Sequence, residues 1–274
     1  GNNTSLTTFL CTNNPNLYCI DVDDVAWADT NWTVSNGNIS YWNSFSNDCQ
    51  SEVYGCTDTL VYNYDSTATL NDGSCDYGTT FVPDDNFENY LENWGMGDGI
   101  ANNDSVLTAN IRFITSLNVS YQSISDLTGI EDFYSLQTLY CDNNQLDSLD
   151  ISNNTALTYL SCYHNQLSSL DISNNTALTQ LRCFNNQLSS LDVSNNTALT
   201  VLYCSSNQLD SLDVSQNSAL THFYCSSNQL ISLDVRNGNN MNMLTNSSYF
   251  NLTNNPNLYC IDVDSAAYST ANWT

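Results

Sequence analysis

Apolar residues recur along the second half of the chain with a period of 21 residues. The second of five copies reads LTYLSCYHNQLSSLDISNNTA and begins at Leu157. The alternation Leu160-Ser161-Cys162 predicts a short strand that turns Leu160 and Cys162 inward and Ser161 outward. The rest of a copy leaves no room for a helix, and a unit of this size cannot bury a core alone. The pattern therefore predicts stacked strands and turns in which neighbouring copies share one core.

The same positions recur in each copy as L-x-x-L-x-C-x-x-N-x-L. This pattern, carried here by Leu157, Leu160, Cys162, Asn165 and Leu167, resembles the leucine-rich repeat. The resemblance implies a solenoid that is mostly β and turn, with one parallel sheet. It also implies that ligands are recognised on the concave, strand-bearing face.

An asparagine occupies the position at which each strand should turn away from the sheet. Its amide can bond to backbone groups that the bend leaves unpaired. Further along the copy, Leu170 and Ile172 flank Asp171 and predict a second short extended segment on the convex side. The asparagine column comprises Asn144, Asn165, Asn186, Asn207 and Asn228.

The residues before the repeats predict a short N-terminal capping helix. Apolar residues of VPDDNFENYLENWGM follow helical spacing from Phe87 to Trp94. Asp85, three residues before Glu88, suits an acidic variant of the capping box. The segment is similar to the cap that precedes leucine-rich repeats in secreted bacterial proteins, and a lid of this kind would shield the first apolar turn from water.

The stretch TNNPNLYCIDVD occurs twice, beginning at Thr12 and at Thr253. The sequences around both copies also align, which makes 241 residues the length of one complete module. We therefore expect the chain to be part of a tandem array. Its expected divisions are the C-terminal repeat and cap of a preceding solenoid at 1–49, a small disulfide-closed linker at 50–80, the helical cap at 81–114, leucine-rich repeats at 115–237, and a C-terminal repeat with a truncated cap at 238–274.

Six of the eleven cysteines take the inward position of a predicted strand. Parallel neighbours hold their side chains about 4.8 Å apart, further than the ~3.8 Å between the Cβ atoms of a disulfide. We predict buried free thiols that act as small apolar side chains. A metal-binding ladder is the alternative, which is disfavoured because zinc requires four converging ligands. The column comprises Cys11, Cys141, Cys162, Cys183, Cys204 and Cys225.

The other five cysteines predict two disulfides. A disulfide between Cys19 and Cys49 would hold the first cap together, and one between Cys56 and Cys75 would close the linker loop. Cys260 is the copy of Cys19, and its expected partner is a copy of Cys49 beyond the end of this sequence.

The linker loop GCTDTLVYNYDSTATLNDGSC is too short to bury a core, so it needs its disulfide or an ion. It resembles a G-C-T-D…D-G-S-C motif found between domains of secreted bacterial and viral proteins. Its oxygen-bearing side chains are of the kind that calcium prefers, although their spacing is not that of an EF-hand. Bound Ca²⁺ is the hypothesis, and a turn-rich disulfide loop is the alternative. The candidate ligands are Asp58, Asn63, Asp65, Asp72 and Asp76.

A further resemblance concerns glycosylation. Some secreted bacterial proteins carry O-glycans at Asp-Ser/Thr followed by an apolar residue, which implies modification wherever that triplet occurs here. The candidates are Thr59, Ser105, Ser148, Ser211 and Ser265.

Charge restricts the partners of this chain. It has 29 acidic residues against three arginines, no lysine, and a net charge of −26 at pH 7. Phosphate binding requires basic side chains, so we expect no nucleic acid partner, and anionic membranes are disfavoured for the same reason. No apolar run is long enough to span a bilayer. The cysteines and the lysine-free composition favour an extracellular or cell-surface location.

The sequence lacks H-E-x-x-H, G-x-S-x-G and glycine-rich phosphate-loop motifs, so we expect no enzyme activity. The duplicated cap favours a structural module of an extracellular stalk or filament-forming surface protein that contacts neighbouring copies of itself. The alternative is an adhesin that binds glycan or protein through aromatic side chains and one arginine on the concave face. The concave-face candidates are Tyr140, Tyr159, Tyr163, Arg182, Phe184, Tyr203 and Tyr224.

Overall fold

The computed structural model describes residues 9–12, 14, 17, 19–40, 43–49, 53–59, 61, 63–242 and 250–272. Residues 1–8 and 243–249, which belong to the first and last expected divisions, lie outside the described residues. The chain forms two compact units, Gly1–Gly78 and Thr79–Thr274. No helix among the described residues has the length and apolar composition needed to cross a membrane.

The first unit consists of short elements joined by turns. Strand β1 (Cys19–Asp21) pairs in parallel with β2 (Ser44–Ser46), and helix α1 (Val25–Asn31) lies between them in the sequence. Strands β3 (Tyr54–Gly55) and β4 (Leu70–Asn71) form a second parallel pair within the linker region. The disulfides of this unit join Cys19 to Cys49 and Cys56 to Cys75, the same pairs that the sequence predicts.

The second unit begins with a lid and continues as a solenoid. In the lid, β5 (Thr79–Phe81) pairs antiparallel with β6 (Ser105–Leu107), alongside helices α2 (Asp85–Asn93) and α3 (Thr108–Ile111). Seven parallel strands follow as one main sheet. In sheet order they are β7 (Ser116–Asn118), β8 (Thr138–Tyr140), β9 (Tyr159–Ser161), β10 (Gln180–Arg182), β11 (Val201–Tyr203), β13 (His222–Tyr224) and β15 (Phe250–Asn251).

A second parallel sheet forms on the other side of the solenoid, but only in its later turns. The expected extended segment around Leu170 and Ile172 is therefore only partly correct: both side chains are buried, yet the backbone there pairs with no strand. The elements of this side are β12 (Ser211–Asp213), β14 (Ser232–Asp234) and β16 (Cys260–Asp262), followed by helix α4 (Ala266–Asn272).

The repeats stack in strict register around one core. Leu181 lies opposite Leu160 on one side and Leu202 on the other, and all three are fully buried. Burying a leucine side chain contributes about 1.5–3 kcal/mol, so each added turn extends the same favourable column. The arrangement is a leucine-rich-repeat solenoid, mostly strand and turn, as predicted.

The predicted asparagine column is a ladder that joins each turn to the one before it. The amide of Asn186 donates to the carbonyl oxygens of Cys162 and Cys183, at 3.0 and 3.1 Å. Its side-chain oxygen accepts from the backbone nitrogen of Leu167, at 3.0 Å. Asn165 and Asn207 make the equivalent contacts. Each asparagine thus satisfies three backbone groups that the bend would leave unpaired.

A second asparagine ladder runs through the turns on the opposite side, and the sequence analysis did not single it out. The fully buried amide of Asn196 donates to the carbonyl oxygens of Ile172 and Asn175, at 3.0 and 2.9 Å. The signal was available in the sequence, because an asparagine at the third position of each SNNTA or SQNSA block recurs at the repeat period. Its members are Asn154, Asn175, Asn196 and Asn217.

The backbone just before each ladder asparagine is left-handed. Asn185 has φ +53° and Ser206 has φ +55°, and Asn143, His164 and Ser227 repeat this conformation in the other turns. The left-handed region favours glycine or asparagine, so the repeated positive φ is a local cost of the bend. The hydrogen bonds of the following asparagine offset it.

The lid helix starts one residue earlier than the capping-box prediction requires. Asp84, not Asp85, is the N-cap, and its carboxylate accepts from the backbone nitrogens of Asn86 and Phe87, both at 3.0 Å. Glu88 does not reach back to the cap. Its carboxylate instead accepts from two backbone nitrogens of the loop at residues 103–104.

The apolar face of the lid helix is also shorter than predicted. Phe87 and Leu91 are fully buried, but Trp94 ends the helix and is 69% exposed. Asp84 connects the lid to the first turn, because its second oxygen accepts from the backbone nitrogen and hydroxyl of Ser125, at 2.8 and 2.7 Å. Burial opposes ionisation of Asp84, yet these hydrogen bonds keep its pKa below the ordinary value.

Replacing a ladder asparagine should destabilise the solenoid far more than replacing its exposed neighbour. We expect Asn186→Ala to lower the free energy of unfolding by about 3 kcal/mol, because it leaves buried carbonyl groups unpaired. Gln187→Ala, at the adjacent exposed position, should cost about 0.5 kcal/mol or less. Urea denaturation followed by circular dichroism measures both. Equal costs would show that the ladder does not hold the turns together.

Five of the six column cysteines, Cys141, Cys162, Cys183, Cys204 and Cys225, are buried free thiols, whereas Cys11 is a free thiol that is only half-buried, so the prediction of burial is wrong for Cys11. Burial raises the pKa of each, to about 12 for Cys183. Below about pH 8.5, the ordinary pKa of a thiol, the thiols are protonated in both the folded and the unfolded chain, and their burial contributes fully to stability. This contribution is lost as the pH rises toward the higher pKa values of the folded state. We expect the free energy of unfolding to fall between about pH 8.5 and 11. Cys183→Ala should make the fall shallower, and an unchanged slope would contradict this account.

Candidate functional site

The outward residues of the main sheet form a continuous surface, which we call the sheet face. Strand register places Tyr140, Ser161, Arg182, Tyr203 and Tyr224 in one row across successive strands. Rows on either side of it hold Tyr159 and the pair Tyr163 and Phe184. All seven of the predicted concave-face residues are half-buried and lie on this one surface.

Aromatic side chains of neighbouring turns pack against one another along the sheet face. The rings of Tyr163 and Phe184 stack with centroids 4.3 Å apart and planes 9° apart. Tyr140 and Tyr159 lie 4.8 Å apart, and Tyr203 meets Tyr224 edge-on at 4.6 Å. Such pairs contribute about 0.5–1.5 kcal/mol beyond their buried area. The rings are therefore fixed in position before any ligand arrives.

Arg182 occupies the middle of the sheet face between two tyrosines. Its guanidinium carbon lies 5.6 Å from the ring centroid of Tyr159 and 5.4 Å from that of Tyr203. Both distances are within the range of cation–π attraction. The Nε atom of Arg182 is buried and has no hydrogen-bond partner among the described residues. Burial raises the pKa of Tyr159, and the nearby Arg182 charge acts in the opposite direction.

Two buried residues of the sheet, Ser161 and Asp142, complete the site. Their role was not predicted from the sequence. Ser161 points outward as predicted, but it is only 1% exposed. Its hydroxyl donates to the buried carboxylate of Asp142, at 3.0 Å. A serine at this position leaves room above it for the larger side chains of neighbouring turns.

No three carboxylates among the predicted calcium ligands Asp58, Asp65, Asp72 and Asp76 lie within 4.8 Å of one another. Asp58 accepts from the Tyr77 hydroxyl, and Asp65 accepts from the backbone and hydroxyl of Thr67. Asp72 and Asp76 accept from the backbone nitrogens of Ser74 and Gly78 two residues further on. Asn63 bonds across the loop, donating to the carbonyl of Ser74 and accepting from the backbone nitrogen of Asp76. Calcium binding by this loop stays a prediction.

Among the described residues, one group of three carboxylates has oxygens within 4.8 Å of one another: Asp85, Glu88 and Asp104. Glu88 lies fully buried in this group and accepts from the backbone nitrogens of Asn103 and Asp104, at 3.0 and 3.1 Å. These bonds give the buried carboxylate a structural role in closing the lid loop, so the cluster needs no ion to explain it.

The predicted O-glycosylation positions are accessible to different degrees. Four are exposed, and Ser105 is half-buried with its hydroxyl donating to Asp98 at 3.3 Å. Modification at any of them stays a prediction. The exposed four are Thr59, Ser148, Ser211 and Ser265.

The main sheet and its ladders define the class of this protein as a leucine-rich-repeat solenoid. No family model matches the chain. Internalin J of Listeria monocytogenes serotype 4b (strain F2365) is 39% identical to it over 87 residues, which are 32% of this chain and 9% of internalin J. The chain thus spans less than a tenth of that relative.

Solved structures of other repeat proteins share local similarity with this chain. The functional domain of InlJ from Listeria monocytogenes, described as including a cysteine ladder, is 21% identical, with 68% of this chain and 64% of that chain covered and a TM-score of 0.29. The LRIM1/APL1C complex is 30% identical, with 47% of this chain and 26% of that chain covered and a TM-score of 0.44.

Proposed function

We propose that the chain is a non-catalytic, extracellular leucine-rich-repeat module of a bacterial protein that binds a protein or glycan on its sheet face. The single observation that carries this proposal is Arg182, a half-buried arginine whose guanidinium is held between the rings of Tyr159 and Tyr203. A guanidinium fixed in this way needs little reordering to bind an acceptor oxygen on a ligand.

The residue types of the sheet face also support binding. Tyrosine and arginine are enriched among the residues that dominate interface energies, since they combine a large apolar area with polar groups. Strand propensity alone favours tyrosine as well, so the tyrosines by themselves would be weak support. An arginine fixed among them has no such explanation.

The chemistry of the cysteines supports an extracellular location. Disulfides persist in oxidising surroundings and are rare in the cytosol. The two disulfides of the first unit, together with a net charge of −26, fit a secreted or surface protein that remains soluble at high concentration. The bacterial assignment rests on the local similarity to internalin J.

Binding can be tested by screening the protein against arrays of immobilised glycans and extracellular proteins. We expect Arg182→Gln and Tyr203→Ala each to weaken a specific hit about tenfold or more, the loss typical of a hot-spot residue. Ser173→Ala, an exposed position away from the sheet face, is the matched control. Melting temperatures identify variants that fail to fold. The site would be refuted if the ligand bound both sheet-face variants as tightly as the original protein, or if the control variant also lost binding.

A second candidate function is a structural one, in which modules of this kind repeat along an extracellular stalk. It is favoured by the internal duplication, because the two copies of the cap sequence occupy different units and begin with the same strand and helix. Binding and stalk formation are compatible, since repeated sheet faces would give a multivalent surface.

The stalk can be tested by expressing one, two and three tandem copies of the 241-residue module. We expect electron microscopy to show rods whose length grows by a constant increment with each copy. Separate globular modules joined by flexible linkers would exclude a stalk. That result would not affect the binding proposal.

A further inference from the structure

Arg182 carries a positive charge that no carboxylate of the described chain neutralises. The other two arginines are occupied or covered, since Arg236 pairs with Asp234 and Arg112 is only 7% exposed. No ion pair joins Arg182 to an acidic residue among those that the structure describes. In a chain with 29 acidic residues and three arginines, a free positive charge on the sheet face requires an explanation.

The two tyrosine rings beside Arg182 hold its guanidinium without cancelling its charge. Tyr159 and Tyr203 lie 5.6 and 5.4 Å from it, within the range of cation–π attraction. A carboxylate in their place would also fix the side chain, but it would use up the hydrogen-bond donors. Because Nε is buried, a ligand meets the two terminal nitrogens, whose planar fork matches the two oxygens of a carboxylate. The site therefore favours a ligand that bears a carboxylate.

The row of the sheet face that contains Phe184 changes abruptly from aromatic residues to serines. The rings of Tyr163 and Phe184 stack, but the next residues in this row are Ser205 and Ser226. Strand register extends this far, because the backbone nitrogen of Asn185 donates to the Ser205 carbonyl at 3.0 Å. A serine side chain is much shorter than a phenylalanine ring, so no ring of this row covers the side of Phe184 that faces Ser205. We call Phe184, Ser205 and Ser226 the serine step.

The serine step also offers polar groups in fixed positions. The Ser205 hydroxyl accepts from the backbone nitrogen of Ser226 and bonds to its hydroxyl, both at 3.1 Å. Both serines are half-buried. Fixed hydroxyls beside an uncovered aromatic ring suit a sugar residue, which has a C–H face to lay against a ring and hydroxyls to bond.

The acidic residue of the sheet-face rows lies away from the serine step. Asp142 is 4% exposed and accepts from the Ser161 hydroxyl and the Asn143 side-chain amide, both at 3.0 Å. It belongs to the first copy and Ser205 to the fourth, so three strand spacings, about 14 Å, separate them. Salt screens charges beyond about 8 Å at physiological ionic strength. A carboxylate at the serine step therefore meets mainly the charge of Arg182.

We propose that the sheet face binds a carboxylated sugar, a uronic or sialic acid residue of a glycan, with its carboxylate on Arg182 and its ring against Phe184 above Ser205. This inference rests on the proposed binding function and names its ligand class. Arg182 and Phe184 are two residues apart along β10 and its continuation, about 6.6 Å. One six-membered sugar ring with its carboxylate covers that span, and its hydroxyls bond to those of Ser205 and Ser226.

Two other anionic partners fit this site less well. A densely charged polymer is repelled by the net charge of −26, whereas a single carboxylate needs only the local charge of Arg182. An acidic side chain of a protein would satisfy Arg182, but it has no ring to lie against Phe184.

Biolayer interferometry of the full chain against sugars on a neutral polymer tests the proposal. The probes carry glucuronic acid, N-acetylneuraminic acid, the methyl ester of either acid, or glucose, at low and equal density. We expect at least one acid to bind, and its ester, which keeps the ring but loses the charge, to bind about tenfold more weakly. Arg182→Gln should bind acid and ester equally, because the preference for the acid comes from the guanidinium.

A second variant tests the serine step without altering Arg182. Ser205→Phe extends the aromatic row, and Tyr163 and Phe184 show that equivalent positions accept a ring. The new ring would cover Phe184, so we expect the acid to bind about tenfold more weakly. Melting temperatures show whether the variant folds. Ser173→Ala, at an exposed position away from the sheet face, should bind as the original protein does.

Four results would overturn the proposal. They are equal binding of acids and esters, a preference for the acid that persists in Arg182→Gln, undiminished binding by Ser205→Phe, and no binding of any sugar probe. A peptide with a single glutamate on the same polymer is the last probe. If it binds through Arg182 in place of the sugars, the partner is an acidic protein and the glycan is wrong.

The proposed function can survive the failure of this inference. A ligand from the screen of glycans and proteins that depends on Arg182 but not on a carboxylate would keep the sheet face as a binding site and remove the carboxylated sugar. A screen in which no ligand depends on Arg182 would remove both.

Discussion

The solenoid depends on one pair of hydrogen bonds. An asparagine amide donates to two carbonyl groups, one in its own turn and one in the turn before. Asn186 shows the unit step, reaching Cys162 and Cys183 at once. Because the two carbonyls belong to successive copies, each asparagine fixes its own turn against the turn before it. The loop between two ladder positions can still lengthen, since Asn255 makes the same contacts as Asn228 after a longer loop.

The sequence was sufficient to predict the features that recur. Period and residue type together identified the inward Leu160 and Cys162, the asparagine column and the two disulfides of the first unit. Features that occur only once in the chain were harder to predict from the sequence. Asp84 and Asp85 are both acceptable caps by type, and the structure uses Asp84, whose second carboxylate oxygen also accepts from Ser125 of the first turn. Trp94 satisfies helical spacing, but the chain leaves the helix there.

The sheet face shows a second limit of prediction from the sequence: it identified the residues of the surface but not their contacts. Spacing alone predicted which seven residues share this surface, and they do share it. Their mutual contacts could not be predicted, because the diagonal approach of Tyr159 to Arg182 depends on Ser161 being small and sunk beneath them. The ladders satisfy the backbone from the inside, so the outward positions can differ in residue type between copies without breaking the backbone pairing. Variation of this kind, on an otherwise uniform scaffold, is where recognition can reside.

The same ladder explains why a solenoid of this type needs something at its end. Each turn receives an amide from the next turn, so the final turn must obtain its donors elsewhere. Asn255 makes one more step by reaching the carbonyls of Cys225 and Leu252, at 3.0 and 2.9 Å. In the first unit, the side chain of Asn38 then donates to the carbonyl of Phe9 at 2.9 Å, and that of Asn43 donates to the carbonyl of Leu17. Asn38 and Asn43 of the first unit therefore repeat the chemistry of the ladder with different spacing. A cap can thus end a solenoid with the ladder's own kind of hydrogen bond.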